Sequence, residues 1–554
     1  MDTSDVTADT AASTTQAEAP EPPRATGQTS ATEQATSTEQ VSVPAHSTNR
    51  STTPRTAAFQ QRISLGWAER DEPLPPRREA APSAAVRRRS ISSRFVGERI
   101  VVPAGTRKQR SNDTDYPFRA HSAFSHLTGW GSDAEPGAVL VLEPSGTAHT
   151  ATLYFRERAG RESDEFYANP DIGEFWIGPR PSLAQVAADL DIPTEHLDRL
   201  NLDRLNLDED GPLRVVREAD PELTARLDAA RGVNGDESMS SAVDELEISE
   251  RMLADVDRRA KVEAADAELE QALSELRLVK DEFEIGELRK AVAATASGFD
   301  DIVGSLRRAT TLPRGERLIE GVFHTRARLE GNEVGYDTIA ASGHHACILH
   351  WTKNSGEVRD GDLVLIDAGV EVDSLYTADI TRTLPVNGTF TEPQRRVYQA
   401  VLDAADAAFA VVKPGITFRD VHETAMRVIA QRTAEWGLLG VTADEALARD
   451  GQQHRRYMVH GTSHHLGIDV HDCAKARREL YLDGVVEAGM VFTIEPGLYF
   501  QPDDLTVPDE LRGIGVRIED DVLVTADGAE NLSIAIPRAA DDVESWLRRG
   551  RRAD

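Results

Sequence analysis

The sequence predicts an α/β (α+β) protein with two folded domains behind a low-complexity segment, the second domain built on an internally duplicated sheet. Three observations carry this. Residues 1–92 are rich in Thr, Ser, Ala, Gln, Pro and Glu and poor in aromatics, a composition too polar to bury a core. Residues 93–273 pass from short apolar strand patterns into helical stretches. Residues 274–545 hold two matching strand segments that open on a glycine and close on an acid, Gly361 to Asp367 and Gly489 to Glu495, six residues apart in both. At 554 residues and 40% hydrophobic content, the chain is long and apolar enough for sizeable cores.

Taken in order, residues 1–92 are expected to be disordered. Residues 1–100 carry 12 acids and 12 bases, so the net charge of −32 lies on the folded part, partly in acidic helical runs at 244–250 and 263–270. Order is expected from residues 95–102, with further strands at 137–142 and 151–155. The repeat of Asp-Arg-Leu-Asn-Leu at 198–202 and 203–207 is too short for a solenoid. Residues 240–306 favour long helices, broken near Lys280 and Asp281 where the two domains would join. Residues 546–554 are expected to form a C-terminal tail.

In the second domain, five metal-capable side chains, Asp367, Asp379, His464, Glu495 and Glu519, each sit in a short apolar or glycine-bounded segment. A single strand-end acid is ordinarily a solvated edge or a turn cap, and a single histidine a satisfied polar group. Four acids on buried-type strands are different, because uncompensated charge is excluded from a core. Asp367 and Asp379 come from one strand pair, Glu495 and Glu519 from its counterpart, and His464 lies on the glycine-punctuated stretch His460-Gly461-Thr462-Ser463-His464-His465-Leu466-Gly467. Nine of the 15 histidines fall between 344 and 471. Four carboxylates and one imidazole are what two adjacent divalent cations need, so the chain reads as a two-metal hydrolase. Hard oxygen donors without a thiolate suit Mn²⁺ and accept Co²⁺, Mg²⁺ or Zn²⁺.

Several motifs carry a family resemblance. Ile339-Ala340-Ala341-Ser342-Gly343 through Cys347-Ile348-Leu349-His350, the run from Asp360 to Gly369, His460 to His464, Val470-His471-Asp472, Thr493 to Tyr499 and Arg512 to Asp520 resemble the aminopeptidase P group of the M24 metallopeptidase family. The run from Arg110 to Arg119 resembles the start of that group's N-terminal domain, and the likeness spans about residues 93–545. It implies a pita-bread catalytic domain behind a creatinase/prolidase-like N-terminal domain, two metal ions of which Mn²⁺ is the usual species, and hydrolysis of peptides with proline in the second position by a metal-bridged hydroxide. By this likeness Asp367 binds one ion, Asp379 and Glu519 bridge both, and His464 with Glu495 hold the other. Glu495 is the expected proton carrier, and of the two expected catalytic histidines, His350 and His471, one or the other is expected to hydrogen-bond the oxyanion. His460, His471 and Tyr499 are expected to wall the proline pocket. Arg517 is expected to orient a substrate carbonyl or an acid ligand. Twelve residues separate Asp367 from Asp379, one more than is usual in the family, so the hairpin between them must absorb one in the turn around Val372-Asp373-Ser374 or in a bulge. Asp373 is the competing ligand. Trp176 resembles a family tryptophan that lines a neighbouring subunit's cleft, which implies a homo-oligomer; a packed core tryptophan is the other option.

Other classes are disfavoured. The acidic balance opposes nucleic acid, no apolar run reaches the roughly 18 residues of a membrane span, and the two cysteines, Cys347 and Cys473, suit buried thiols in a reducing cytoplasm. Alternatives within the fold are a prolidase, a creatinase-like enzyme without metal, or a binding module. The last two should lack ligands, and all five are here.

Overall fold

The computed structural model describes residues 53–54, 56–112, 114–200, 212–233 and 245–550, and of 245–254 the backbone alone. Two compact units divide the chain, Met1–Gln60 and Gln61–Asp554. The described part of the first opens the short helix Ala57–Ile63. All the following elements belong to the second.

Alternating apolar runs build a five-stranded N-terminal sheet in the order Thr194–His196, Ala148–Phe155, Val139–Ser145, Arg99–Pro103, Leu213–Val215. The three inner strands pair antiparallel and the outer two join in parallel. Residues 80–92, expected to be disordered, instead form most of the helix Ala80–Arg94, with Ala80, Ala81, Ala84, Arg87 and Ile91 buried. Alanine is the strongest helix former, and its small side chain lets this helix approach Gly129 closely. Few aromatics therefore did not mean no core contact. Residues 1–52 and the repeat positions 201–207 lie outside the described residues. The acidic run at 263–270 is mostly surface, but Asp266 is fully buried and held by Arg217 and Arg231 at 2.8 and 3.0 Å.

Glu245–Leu276 and Glu282–Ala309 are the expected long helices, and Asp281 caps the second in a capping box with Glu284. The first helix runs past residue 273, so the turn at 277–281 connects the domains. The C-terminal tail is also shorter than expected. Helix Ala540–Gly550 buries Val543, Trp546 and Leu547, an i, i+3, i+4 stripe, and Trp546 Nε1 donates to Asp300 Oδ1 at 2.7 Å.

The catalytic domain is duplicated. In its first half, helices Glu282–Ala309 and Gly315–Glu330 accompany the antiparallel strands Ile339–Ser342, Leu363–Ala368 and Ile380–Pro385. In its second, helices Glu392–Val411 and Phe418–Glu435 accompany Val491–Ile494, Asp520–Val524 and Ala529–Asn531. Arg382 stitches the halves together from a fully buried position, donating to Asp520 Oδ1 at 2.7 Å and to the Glu519 carbonyl at 2.6 Å. That brings the acid-bearing strand ends of both halves to one place.

The hairpin carrying Asp367 and Asp379 keeps one register from its ladder to its tip. Asp367 faces Thr381, Ala368 faces Ile380, and Glu371 still faces Thr377. The ladder holds no bulge there; the chain reverses at residues 373–375, with Leu375 at φ 71°. Asp373 lies exposed in that turn. The N-terminal domain grips the same turn, where Ser132 N donates to the Asp373 carbonyl at 2.8 Å.

Candidate metal centre

Strand alternation aims the acids. Thr381 stands opposite Asp367, so Asp379, two residues along, shares its face, and the register of the second ladder sets Glu495 against Glu519. The stretch 462–464 runs beside Val491–Ile494: Glu495 N donates to the Thr462 carbonyl and Thr493 N to the His464 carbonyl, both at 2.9 Å. His464 is thereby carried to the acids. Three overlapping groups result, Asp367–Asp379–Glu519, His464–Glu495–Glu519 and Asp379–His464–His471, with donor atoms in each within 4.8 Å of one another. Glu519 links the two halves, and Asp379 links the first group to the histidines.

Hydrogen bonds fix the individual carboxylates. Thr381 Oγ1 donates to Glu519 Oε2 at 2.6 Å. Arg517 donates to Asp367 Oδ2, to Thr381 Oγ1 at 3.1 Å and to Tyr499 Oη at 3.2 Å. Its donors are thus engaged by protein, which makes it an orienting group for an acid ligand. His464 Nε2 lies 3.3 Å from Asp379 Oδ2 and 3.7 Å from Glu495 Oε1. His460 Nδ1 sits 2.6 Å from the Gly461 carbonyl, so that nitrogen carries the proton and Nε2 accepts from Tyr499 Oη at 2.8 Å. His471 packs edge-on to His464 with ring centres 4.4 Å apart, and His350 is near enough to oppose its protonation. Both are exposed at the rim.

Electrostatics single out the cluster. Burial and the charges of Asp379, Glu495 and Asp367 drive Glu519 well above the ordinary carboxylate range. Burial also raises Asp367, opposed by Arg517 and reinforced by Asp379. Glu495 is pushed up to about 7 by burial, against the pull of His464 and Arg517. Burial alone would lower His464, but Asp379 and Glu495 lift it to about 9. Burial, with Arg517 nearby, lowers His460 to about 3, so it stays neutral. Four acids thus face one guanidinium and one imidazole. This excess of negative charge, on hard oxygen donors within reach of each other, fits a pair of divalent cations.

Two neighbours were not foreseen from sequence. Tyr336 Oη lies 2.6 Å from Asp367 Oδ1 and 2.5 Å from Asp379 Oδ1, and its single proton ties the two together. Asp521 is fully buried, accepts from Asp379 N at 3.2 Å, and has an Oδ1 without a hydrogen-bond partner. Its place on the Glu519 face, two residues along the strand, was the available signal. Tyr336 lies in a loop with none.

A duplicated sheet closing on a carboxylate-rich candidate metal centre defines a class of metallohydrolase. The pattern of metallopeptidase family M24 matches residues 286–526, and that of the aminopeptidase P N-terminal domain matches residues 84–203. Xaa-Pro aminopeptidase 1 of Streptomyces coelicolor is 49% identical over 88% of this chain and 91% of its own length; Xaa-Pro aminopeptidase 2 of the same organism is 51% identical over 88% and 95%. Among solved structures, Escherichia coli aminopeptidase P superimposes with TM-score 0.69 at 29% identity, covering 85% of this chain and 99% of the other. The aminopeptidase PepP of Pseudomonas aeruginosa gives 0.71 at 29% identity over 86% and 99%. The chain belongs to metallopeptidase family M24, with the aminopeptidase P N-terminal domain and the pita-bread catalytic domain.

Proposed function

We propose that the protein is an Xaa-Pro aminopeptidase that removes the N-terminal residue from peptides with proline in the second position, using two divalent ions, Mn²⁺ being the expected species. The observation that carries this is the convergence of Asp367, Asp379, His464, Glu495 and Glu519 in a chain of this family. The curated Streptomyces relatives bear that activity in their names, and one of the similar Escherichia coli structures is a substrate complex.

Asp367, Asp379, His464, Glu495 and Glu519 would hold the ions. Bound there, the ions would supply Lewis acidity and a source of nucleophilic solvent near neutral pH. Glu495, with Oε1 toward His464 and Oε2 toward His460, is suited to carry a proton to the leaving nitrogen. His350 or His471, both exposed at the rim, would donate a hydrogen bond to the developing oxyanion. Arg517 orients Asp367 and Tyr499.

A peptide bond to proline offers no N–H. His460 has one ring nitrogen on the Gly461 carbonyl and the other on Tyr499, so this wall presents ring surface and asks for no amide donor. Phe175, Trp176 and Ile177 project at 62%, 54% and 42% exposure from the short helix Glu174–Ile177, which rules out a packed core tryptophan and suits burial in a homo-oligomer. No helix among the described residues is long and apolar enough to cross a membrane. Cys347 and Cys473 are both buried and free, in keeping with a cytoplasmic setting and with no role in a disulfide framework.

The test is turnover of metal-stripped protein on peptides of different length after each ion is added back. Cleavage of Ala-Pro-Phe restored by Mn²⁺ is expected. Release of proline from Gly-Pro without cleavage of the tripeptide identifies a prolidase instead.

A further inference from the structure

The loop from His465 to Asp472 carries His471 at its end and follows directly on His464. Its base is closed by Asp472 N donating to the His465 carbonyl at 2.9 Å, which sets the two preceding histidines side by side. Leu466 and Ile468 anchor the loop in the catalytic core, while the charged groups that grip its C-terminal end come from outside the catalytic sheets. Asp472, fully buried, accepts from Arg277 Nε at 2.7 Å and pairs with Lys280 Nζ at 3.4 Å, both from the turn between the domains. Lys280 Nζ also donates to the Arg277 carbonyl at 2.7 Å, so the two cations form one bracket. Gly467 lies tight against both Asp472 and Lys280, where a Cβ would collide.

The other end of the loop is gripped by the N-terminal domain. Arg119 donates to the Ile468 carbonyl at 2.5 Å and to Glu371 Oε2 at 2.6 Å, and Ser122 donates to Asp469. Arg119 therefore ties the histidine loop to the hairpin that bears Asp367 and Asp379. Behind the loop lies a cavity of about 180 Å³, lined by His121 and Ser122 of the N-terminal domain, Arg277 of the connection, and Asp469, His471 and Lys475. Beside the cavity, directed ion pairs to Asp472 fix the end of the loop that carries His471.

We propose that Arg277 and Lys280, acting through Asp472, and Arg119, acting through the Ile468 carbonyl, are positioning residues for His471, so that the N-terminal domain and its connection set the geometry of the reaction from outside the metal centre. The inference rests on the reading of His471 as a group that meets the substrate. An imidazole on a loop bordering a cavity can shift by an ångström with little steric cost, and shifts of that size at a reacting centre cost about 100-fold.

The test is a double-mutant cycle on the full, Mn²⁺-loaded chain with an X-Pro-Y peptide, read as kcat, KM and bound metal. His471→Ala and Arg277→Met are each expected to lower kcat by about 10- to 100-fold, with metal content unchanged. The double variant is expected to fall no further than His471→Ala alone, because both changes remove the same thing. Arg277→Lys should recover part of the loss. If Arg277→Met fails to fold, Asp472→Asn, which keeps the shape and removes the charge, enters the same cycle, with Arg119→Lys as a third arm. Losses that multiply in the double variant, or wild-type kcat in all three clamp variants, overturn the positioning role. Wild-type kcat in His471→Ala alone refutes the prior reading of that histidine and leaves the clamp without a catalytic object.

Discussion

Two buried acidic clusters lie on either side of the same histidine loop, and their surroundings push them in opposite directions. Around Glu519, four carboxylates share one arginine and one imidazole, and Glu519, Asp367 and Glu495 are all raised. Around Asp472 and Glu284, the cations Arg87, Arg277 and Lys280 and the ring of His126 outweigh the cost of burial, and both acids are held below their ordinary range. The second cluster brings its own counter-charge and serves as scaffold. The first does not, which marks it as the candidate metal centre. Burial of an acid is thus uninformative alone; the inventory of nearby cations separates a structural network from a metal centre.

Removing a shared ligand should break the contrast most completely. Glu519→Ala or Asp379→Ala is expected to abolish both Mn²⁺ binding and peptidase activity, read by metal analysis and turnover. Asp373→Ala, in the exposed turn, is expected to leave both intact. Next in size, Glu495→Gln should lower kcat by about 10² to 10⁴ through loss of proton transfer. Tyr336→Phe should weaken metal affinity by about 10-fold with the fold unchanged, since it removes only the hydroxyl that ties Asp367 to Asp379.

The smallest effects sharpen the comparison through pH. Glu495 has a raised pKa in the folded state, so between about pH 4.3 and 7 the native protein binds more protons than the unfolded chain. The metal-stripped protein should therefore lose thermal stability as pH rises through that window, and Mn²⁺ should remove the trend. Glu284, lowered to about 2, behaves in the opposite sense. Its contribution is complete above the unfolded value of about 4.3 and is lost as pH falls toward 2. Glu284→Gln should lower stability at neutral pH and flatten the acid limb of the denaturation curve.

Much of the centre was legible because its acids sit at the ends of short apolar strands, where few other roles tolerate charge. The duplication was legible in the equal glycine-to-acid spacing at Gly361 and Gly489. The clamp was not, because Arg277 and Asp472 are distant in sequence and each looks like a surface residue until the domains meet. Tyr336 was hidden for the same reason, its phenol reaching the acids from an irregular loop. Residues 80–92 and 546–550 were misjudged because composition was averaged over a segment, while a helix needs only one apolar or small-residue face to dock.

The central claim is that the Glu519 cluster is completed by two cations. Titrating metal-stripped full-length protein with Mn²⁺, while following calorimetric binding and cleavage of an X-Pro-Y peptide on the same sample, tests it most directly. Two ions bound per chain, with activity appearing as the sites fill and both lost in Glu519→Ala, is the predicted result. Activity undiminished by metal removal, or binding that survives in Glu519→Ala, would contradict it.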